Sequence, residues 1–218
     1  EGDPGPAFDA TLTRAMLHYL ADLRVGRVRS EYHTALPDPR LQQFDPVEQL
    51  RAALGSGRLA AAVDSAAPAL PFYARVRDAL ARYRELAGTP HRTVPAARKV
   101  TQGSRYDGAA RLHERLVLLG DLAADAAAPD GLYTPELAEG VRQFQLRHGL
   151  EEDGVLGSAT IAALNVPLAL RVRQLELTLE RLRWLPDFGP GPLIAVNLPA
   201  YRLWALRIGG QADTPPLE

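Results

Sequence analysis

Apolar residues keep a three-and-four spacing through most of this chain and turn to strand-like runs only once, near Leu193. That single change assigns most of the sequence to helices and leaves strands for its C-terminal stretch. Phe8, Leu12, Ala15, Met16, Tyr19 and Leu23 set out an amphipathic helix from about Phe8 to Arg24. "EYHTALPDPR" is a proline-punctuated loop. Asp45-Pro46-Val47-Glu48 is a helix start, with a capping carboxylate, proline at the first helical position and glutamate at the third. Val47, Leu50 and Leu54 follow as a stripe that Gly55 is expected to stop, and Arg58 to Ala66 reads as a further short helix. Beyond Pro68 and Pro71, Tyr73, Val76, Leu80 and Tyr83 make another stripe ending at Gly88.

"GTPHRTVPAARKVTQGSRYDG", Gly88 to Gly108, has no clear period and reads as a long connection at a domain boundary. Helical spacing resumes with Leu112, Leu116 and Leu119, stopped by Gly120. Thr134-Pro135 caps a helix carrying Leu137, Val141 and Phe144, which Gly149 ends with Leu150 placed to fold back on it. Asp153-Gly154 makes a turn, and Gly157-Ser158 opens a last short helix with Ile161 and Leu164. Three helices over about 60 residues give a core near the lower limit for independent folding. Pro167 then opens a long helix through Leu168, Val172, Leu175, Leu179 and Leu182, expected to pack on the N-terminal helices. Leu193–Leu198 and Tyr201–Ile208 read as a hairpin with Pro199-Ala200 between them and Gly209-Gly210 after. A lone hairpin is marginal in water, so these strands are expected to open a larger β domain of which only the start is present.

Composition narrows the function classes. The 218 residues are 46% apolar and 23% charged, which suits packed cores. A formal net charge of -1 removes the usual reason to bind a polyanion along a whole face. Lys99 is the only lysine against 24 arginines, a bias of coding composition. The chain has no cysteine, which excludes disulfides, thiolate zinc sites and a cysteine nucleophile within it. No run of about 18 apolar residues is available to span a membrane. No basic-then-apolar leader is visible, and the acidic, Pro/Gly-rich start "EGDPGPAFDA" reads as a mature N-terminus or a cut end. His18, His33, His91 and His113 show no ligand spacing, so neither a metal nor a cofactor is expected.

Leu112–Asn165 resembles the peptidoglycan-binding domain family. The resemblance is carried by "LHERLVLLG", "DGLYTPELAEGVRQFQLRHGL" and "EEDGVLGSATIAALN": the Asp130-Gly131 turn, Thr134, Val141-Arg142-Gln143-Phe144-Gln145, His148-Gly149-Leu150, Asp153-Gly154-Val155-Leu156-Gly157 and Thr160. "NVPLALRVRQLELTLERLRWLP" followed by "LIAVNLPAYRLWAL" looks like the join between scaffold and catalytic domain in YcbB-type L,D-transpeptidases, and "ATLTRAMLHYLADLRVGRV" is similar to their scaffold. The resemblance implies a mainly α chain: a helical scaffold with an inserted three-helix peptidoglycan-binding module, followed by the first β-hairpin of a truncated β-rich catalytic domain. Its expected divisions are a scaffold over 1–100, the binding domain over 104–167, a connecting helix over 168–186 and the start of the catalytic domain over 192–218.

Such enzymes cross-link peptidoglycan in the bacterial periplasm through a cysteine thioester. The family's catalytic His and Ser-x-Gly-Cys motifs lie downstream of the first hairpin, so no residue of this chain inherits a catalytic role. The expected partners are peptidoglycan tetrapeptide stems and other cell-wall synthesis proteins, with no nucleic acid and no transmembrane segment in the chain.

Five residues are candidates for holding the polymer. Arg142, Gln145 and His148 lie off the apolar stripe of their helix, forming either a solvated face or a groove for stem peptide or sugar. Arginine suits the carboxylates of a stem because its fork pairs two oxygens. Tyr133 offers a ring to stack on a sugar, and Asp153 belongs first to its turn. Val141, Phe144, Ile161 and Leu164 are expected in the core. Trp184 and Trp204 are expected to be buried, and Arg171, Arg173, Arg181 and Arg183 to form a solvated face with Glu176 and Glu180.

Two other classes compete. A stand-alone peptidoglycan- or protein-binding module with no chemistry would share the same middle segment. A DNA-binding protein is invited by the helix–turn–helix look of Glu136–Leu164, but the near-neutral charge and the acidic "EEDG" connection would repel phosphate.

Overall fold

The computed structural model describes residues 5–28, 43–198 and 202–209. The loop at 31–40 with His33, the Pro199-Ala200 turn, the first four residues and the stretch from Gly210 onward lie outside the described residues. The described helices are α1 (Pro6–Val25), α2 (Pro46–Ser56), α3 (Leu59–Ala66), α4 (Pro71–Ala87), α5 (Ala109–Leu119), α6 (Pro135–His148), α7 (Ser158–Leu164) and α8 (Leu168–Arg183). The strands are β1 (Lys99–Val100), β2 (Leu156–Gly157), β3 (Gly191–Asn197) and β4 (Arg202–Ile208). Four helices begin on proline, whose fixed φ and missing N–H suit a first turn. The chain divides into two compact units, one of residues 1–80 with 174–218 and one of residues 81–173, so α4 and α8 each contribute to both.

In the first unit α1, α2 and α3 enclose Leu20, Leu23, Phe44, Leu50 and Ala66, with Met16, Leu17 and Val63 against them. Phe8, Leu12 and Tyr19 remain exposed, because the buried side of α1 is centred a fraction of a turn round from that part of the expected stripe. Asp45 caps α2, its Oδ1 accepting from Val47 N at 2.8 Å and Glu48 N at 3.3 Å. The Glu48 side chain pairs with Arg51. The helix stops at Gly57, not Gly55: Gly57 takes the left-handed conformation, while Val47 and Leu54 face solvent.

On the second half of α8 Arg181 is exposed, but Glu180 and Arg183 do not belong to a solvated face. Glu180 Oε1 accepts from the Arg27 and Val28 amides at 2.6 and 2.9 Å and from Trp184 Nε1 at 3.2 Å. Arg183 Nε donates to the Tyr73 hydroxyl at 3.0 Å and its guanidinium lies over the Tyr73 ring. Gly26 sits between, at φ +86°; a Cβ there would lie 2.8 Å from Glu180 Oε1 and the Trp184 ring. Trp184 and Trp204 are half-buried, not buried.

β3 and β4 form an antiparallel hairpin in the register Leu193–Leu206 and Ala195–Trp204. Ile194, Val196 and Leu203 share its outer face at 67%, 57% and 58% exposure.

The second unit is built around α5, α6 and α7. Leu112, Leu116, Tyr133, Leu137, Val141, Phe144, Ile161 and Leu164 are buried together in it. α5 and α6 approach closely at Gly140, where a Cβ would meet the Asp121 carbonyl and Leu116 Cδ1 at 3.1 Å. Gly120 and Gly149 end α5 and α6 alike: Asp121 N donates to Leu116 O at 2.8 Å and Leu150 N to Gln145 O at 3.0 Å.

The aperiodic stretch 88–108 is not a simple connection. It buries Val94, Val100 and Tyr106, and β1 pairs with β2 in the register Lys99–Gly157 and Val100–Leu156. The Asn165 amide clasps the Val94 backbone, accepting from its N–H at 2.8 Å and donating to its carbonyl at 2.9 Å.

Candidate functional site

The turn between α6 and α7 is held from inside by two polar residues. Gln145, on the second half of α6, is 2% exposed. Its Oε1 accepts from Gly154 N at 2.9 Å. Its Nε2 donates to Asp153 Oδ1 at 2.9 Å, Val155 O at 3.1 Å and Thr160 Oγ1 at 3.3 Å. Tyr133 reaches the same residue from the other side, its hydroxyl donating to Gly154 O at 2.7 Å. Gly154 is left-handed at φ +66°, and a Cβ on it would press on the Ala138 carbonyl at 3.0 Å. Asp153 closes the turn on itself by accepting from Val155 N at 2.9 Å.

This geometry revises two expectations. Gln145 does not belong to a solvated face, because its amide is satisfied within the turn. Tyr133 is fully buried, so its ring is not offered to a sugar. Burial, with the Asp153 carboxylate nearby, raises the Tyr133 hydroxyl well above the ordinary phenol range, and it remains a neutral donor.

The other three candidates reach the surface at two different places. Arg142 stands beside the turn, its Nη2 3.1 Å from where a Gly154 Cβ would be, and pairs with Glu139 one turn back along α6. Glu139 also accepts from Gln143 Nε2 at 2.8 Å, the main cause of its lowered pKa. Asp153 is exposed on the turn. Desolvation is the largest single influence on its carboxyl and raises its pKa, but the hydrogen bonds from Val155 and Gln145 together outweigh it and lower the pKa. Arg142 and Asp153 therefore flank one turn.

His148 ends α6 and is half-buried. Its ring stacks on Phe144 at 3.9 Å between centroids, and its Nδ1 donates to Phe144 O at 2.8 Å. Burial is the main cause of its lowered pKa. Beside it Arg147 grips Asp121 with both oxygens, Nε to Oδ1 at 2.8 Å and Nη2 to Oδ2 at 2.5 Å, which fastens the end of α6 to the loop after α5.

One charged residue escaped the reading by motif. Arg115 occupies an interior position of the α5 stripe, between Leu112 and Leu119, and is 4% exposed. Its Nε donates to Leu164 O at 3.0 Å and Nη2 to Val166 O at 3.2 Å, so it caps the end of α7 with positive charge. An arginine on an apolar stripe is a signal that spacing alone could have flagged. Among the described residues no group of three or more His, Asp or Glu is placed to hold a metal ion, and no helix is long and apolar enough to cross a membrane.

Comparison with known families places these features. Residues 2–80 match the family model of a scaffold domain. Residues 106–164, which hold α5, α6, the pinned turn and α7, match the model described as "Putative peptidoglycan binding domain". No curated protein matches the chain. The chain is thus mostly helical, with a peptidoglycan-binding domain in its middle and a small antiparallel hairpin toward its C-terminal end, and the domain match supports binding of peptidoglycan and association with the cell wall.

Proposed function

We propose that this chain is the scaffold and wall-binding portion of a periplasmic L,D-transpeptidase. On this reading the hairpin at 191–208 opens its catalytic sheet. The observation that carries it is the order of parts: a scaffold-domain match, a peptidoglycan-binding match, then strands with an uncovered apolar face of the kind a larger sheet domain buries.

The reaction fits that division of labour. A cysteine thiolate attacks the carbonyl of the third stem residue. The amide bond to the terminal D-alanine breaks, the amine leaves with a proton, and a thioester remains. The amine of a neighbouring stem's third residue then attacks the thioester, forming the cross-link and releasing the thiolate. This chain has no cysteine, so its part is to hold and position polymer while a thiol on the same gene product reacts. Other cell-wall synthesis proteins are natural partners for the scaffold.

Two measurements test the reading. The 218-residue chain is expected to co-sediment with purified sacculi over a control protein, and absence of enrichment overturns wall binding. The product of the complete gene is expected to turn tetrapeptide stems into cross-linked dimer and free D-alanine, while this chain alone yields neither. A gene product without any cysteine after the hairpin overturns the transferase assignment.

A further inference from the structure

A cleft of about 200 Å³ opens on the second unit between residues 90–92 and α5. Arg92, Arg111 and Arg115 line it with His91, Glu114 and Leu118, three guanidinium groups against one carboxylate before His91 is counted. Arg115 is the one buried residue among them and forms the floor; Arg92, Arg111 and Glu114 are exposed at the rim.

Arg115 is also incompletely satisfied. Two of its nitrogens cap α7, but Nη1 is buried without a hydrogen-bond partner. Neither protein partner of Arg115 is an anion; both are backbone carbonyls. A buried charged donor in that condition is unfavourable until a ligand or solvent supplies the acceptor. The volume lies below the roughly 300–1,000 Å³ of pockets that enclose whole small molecules, so the cleft suits the end of a longer ligand.

We propose that this cleft binds the C-terminal carboxylate of a peptide, with Arg115 at the floor and Arg92 and Arg111 closing over it from the rim. Glu114 selects among anions. A peptide end brings an amide N–H beside its carboxylate, which Glu114 accepts, whereas a phosphate brings up to about two negative charges, which the Glu114 carboxylate repels. Leu118 gives the last side chain an apolar contact suited to a small residue such as alanine. The peptide class rests on the wall-binding reading above, on which the ligand is the free end of a stem.

The test uses the full 218-residue chain and three probes: a tetrapeptide stem ending in D-alanine as free acid, the same stem as C-terminal amide, and inorganic phosphate. The free acid is expected to move the Arg115 Nε–H resonance and the amides of 91–92 and 111–118. The amide is expected to bind about tenfold or more weakly, as loss of a charge-assisted contact requires. Arg92→Ala and Arg111→Ala, both at exposed rim positions, are expected to weaken binding by a similar factor with unchanged thermal midpoints. Equal affinity for acid and amide, shifts confined to other surfaces, or rim variants that bind as well as the parent overturn the proposal; so does phosphate binding in the cleft without stem binding. Sacculi that still pellet the chain while the stem leaves the cleft resonances unmoved overturn the cleft alone. A stem that binds the cleft of a chain that ignores sacculi upholds the carboxylate site and overturns wall binding.

Discussion

Replacing Gln145 by alanine tests whether the α6–α7 turn is held from within. The substitution removes every hydrogen bond the side chain makes to 153–155 and Thr160 and strands the buried Gly154 N–H. A buried donor left without an acceptor costs about 1–3 kcal/mol. Asp153 and Val155 reach solvent and can turn to water, so they add little. The void left by the shortened side chain adds about 1 kcal/mol, for a total of about 3 kcal/mol.

Against a domain stability of about 5–15 kcal/mol the unit stays folded, but its opening becomes about a hundredfold easier. Hydrogen exchange on the full chain, in the regime where exchange follows the opening equilibrium, reads this directly at the amides of 154–161. Tyr133→Phe removes the hydroxyl that holds Gly154 O and costs about 1 kcal/mol. Because both residues hold Gly154, the double variant should lose less than the sum, by at least about 0.5 kcal/mol. Acceleration below about threefold for Gln145→Ala, or strict additivity with Tyr133→Phe, would refute the reasoning.

Three further outcomes are expected. Gly26→Ala should cost clearly more than Gly57→Ala in thermal unfolding: Gly57 is left-handed, at about 1–2 kcal/mol for a side chain, whereas Gly26 lies at φ +86° and ψ 164°, a region nearly confined to glycine, and has Trp184 and Glu180 against the new Cβ. Equal losses would count against both the backbone and the contact argument. Asp45→Ala should cost about 1 kcal/mol through the lost α2 cap, measured by denaturant unfolding. His148, whose pKa is lowered in the fold chiefly by burial, should make the chain less stable as acidity rises. Below the ordinary histidine value of about 6.5 the unfolded chain binds the proton first, so stability falls with pH until the folded pKa is passed. Unfolding between about pH 5 and 7.5 should show this limb flattened in His148→Gln, and an unchanged slope would count against it.

The helices were legible because their signals are local. Asp45 and Thr134 cap where their spacing predicts, and Gly120 and Gly149 stop helices whose stripes end beside them. Gly55 misled because a glycine within a helix looks the same in sequence as one that ends it. The left-handed turn fell two residues later, where Gly57 N donates to Leu54 O at 3.3 Å. The stretch 88–108 was opaque for a different reason. Val94, Val100 and Tyr106 have no period among themselves, and their burial depends on partners far along the chain, Asn165 and β2. Glu180 likewise read as one more surface charge, since the amides it accepts from lie about 150 positions away, at Arg27 and Val28.

Two of the five candidate residues, Gln145 and Tyr133, turn inward, and they do so in an informative way. Off-stripe polarity on a helix implies an outward side chain, yet Gln145 points inward, and its amide has little capacity left for a ligand: Oε1 holds Gly154 N–H and the two Nε2 hydrogens face three acceptors. Tyr133 likewise gives its only proton to Gly154 O. Much of the polar pattern that resembles the binding-domain family thus specifies a turn, and changing those residues should alter binding only by way of folding. Arg115 is the opposite case. It interrupts an apolar stripe, caps α7 with two nitrogens and keeps a third unmatched. Side chains that recognise a ligand must hold hydrogen-bonding capacity the fold has not used, and by that criterion the rim and floor of the α5 cleft qualify where Gln145 and Tyr133 do not.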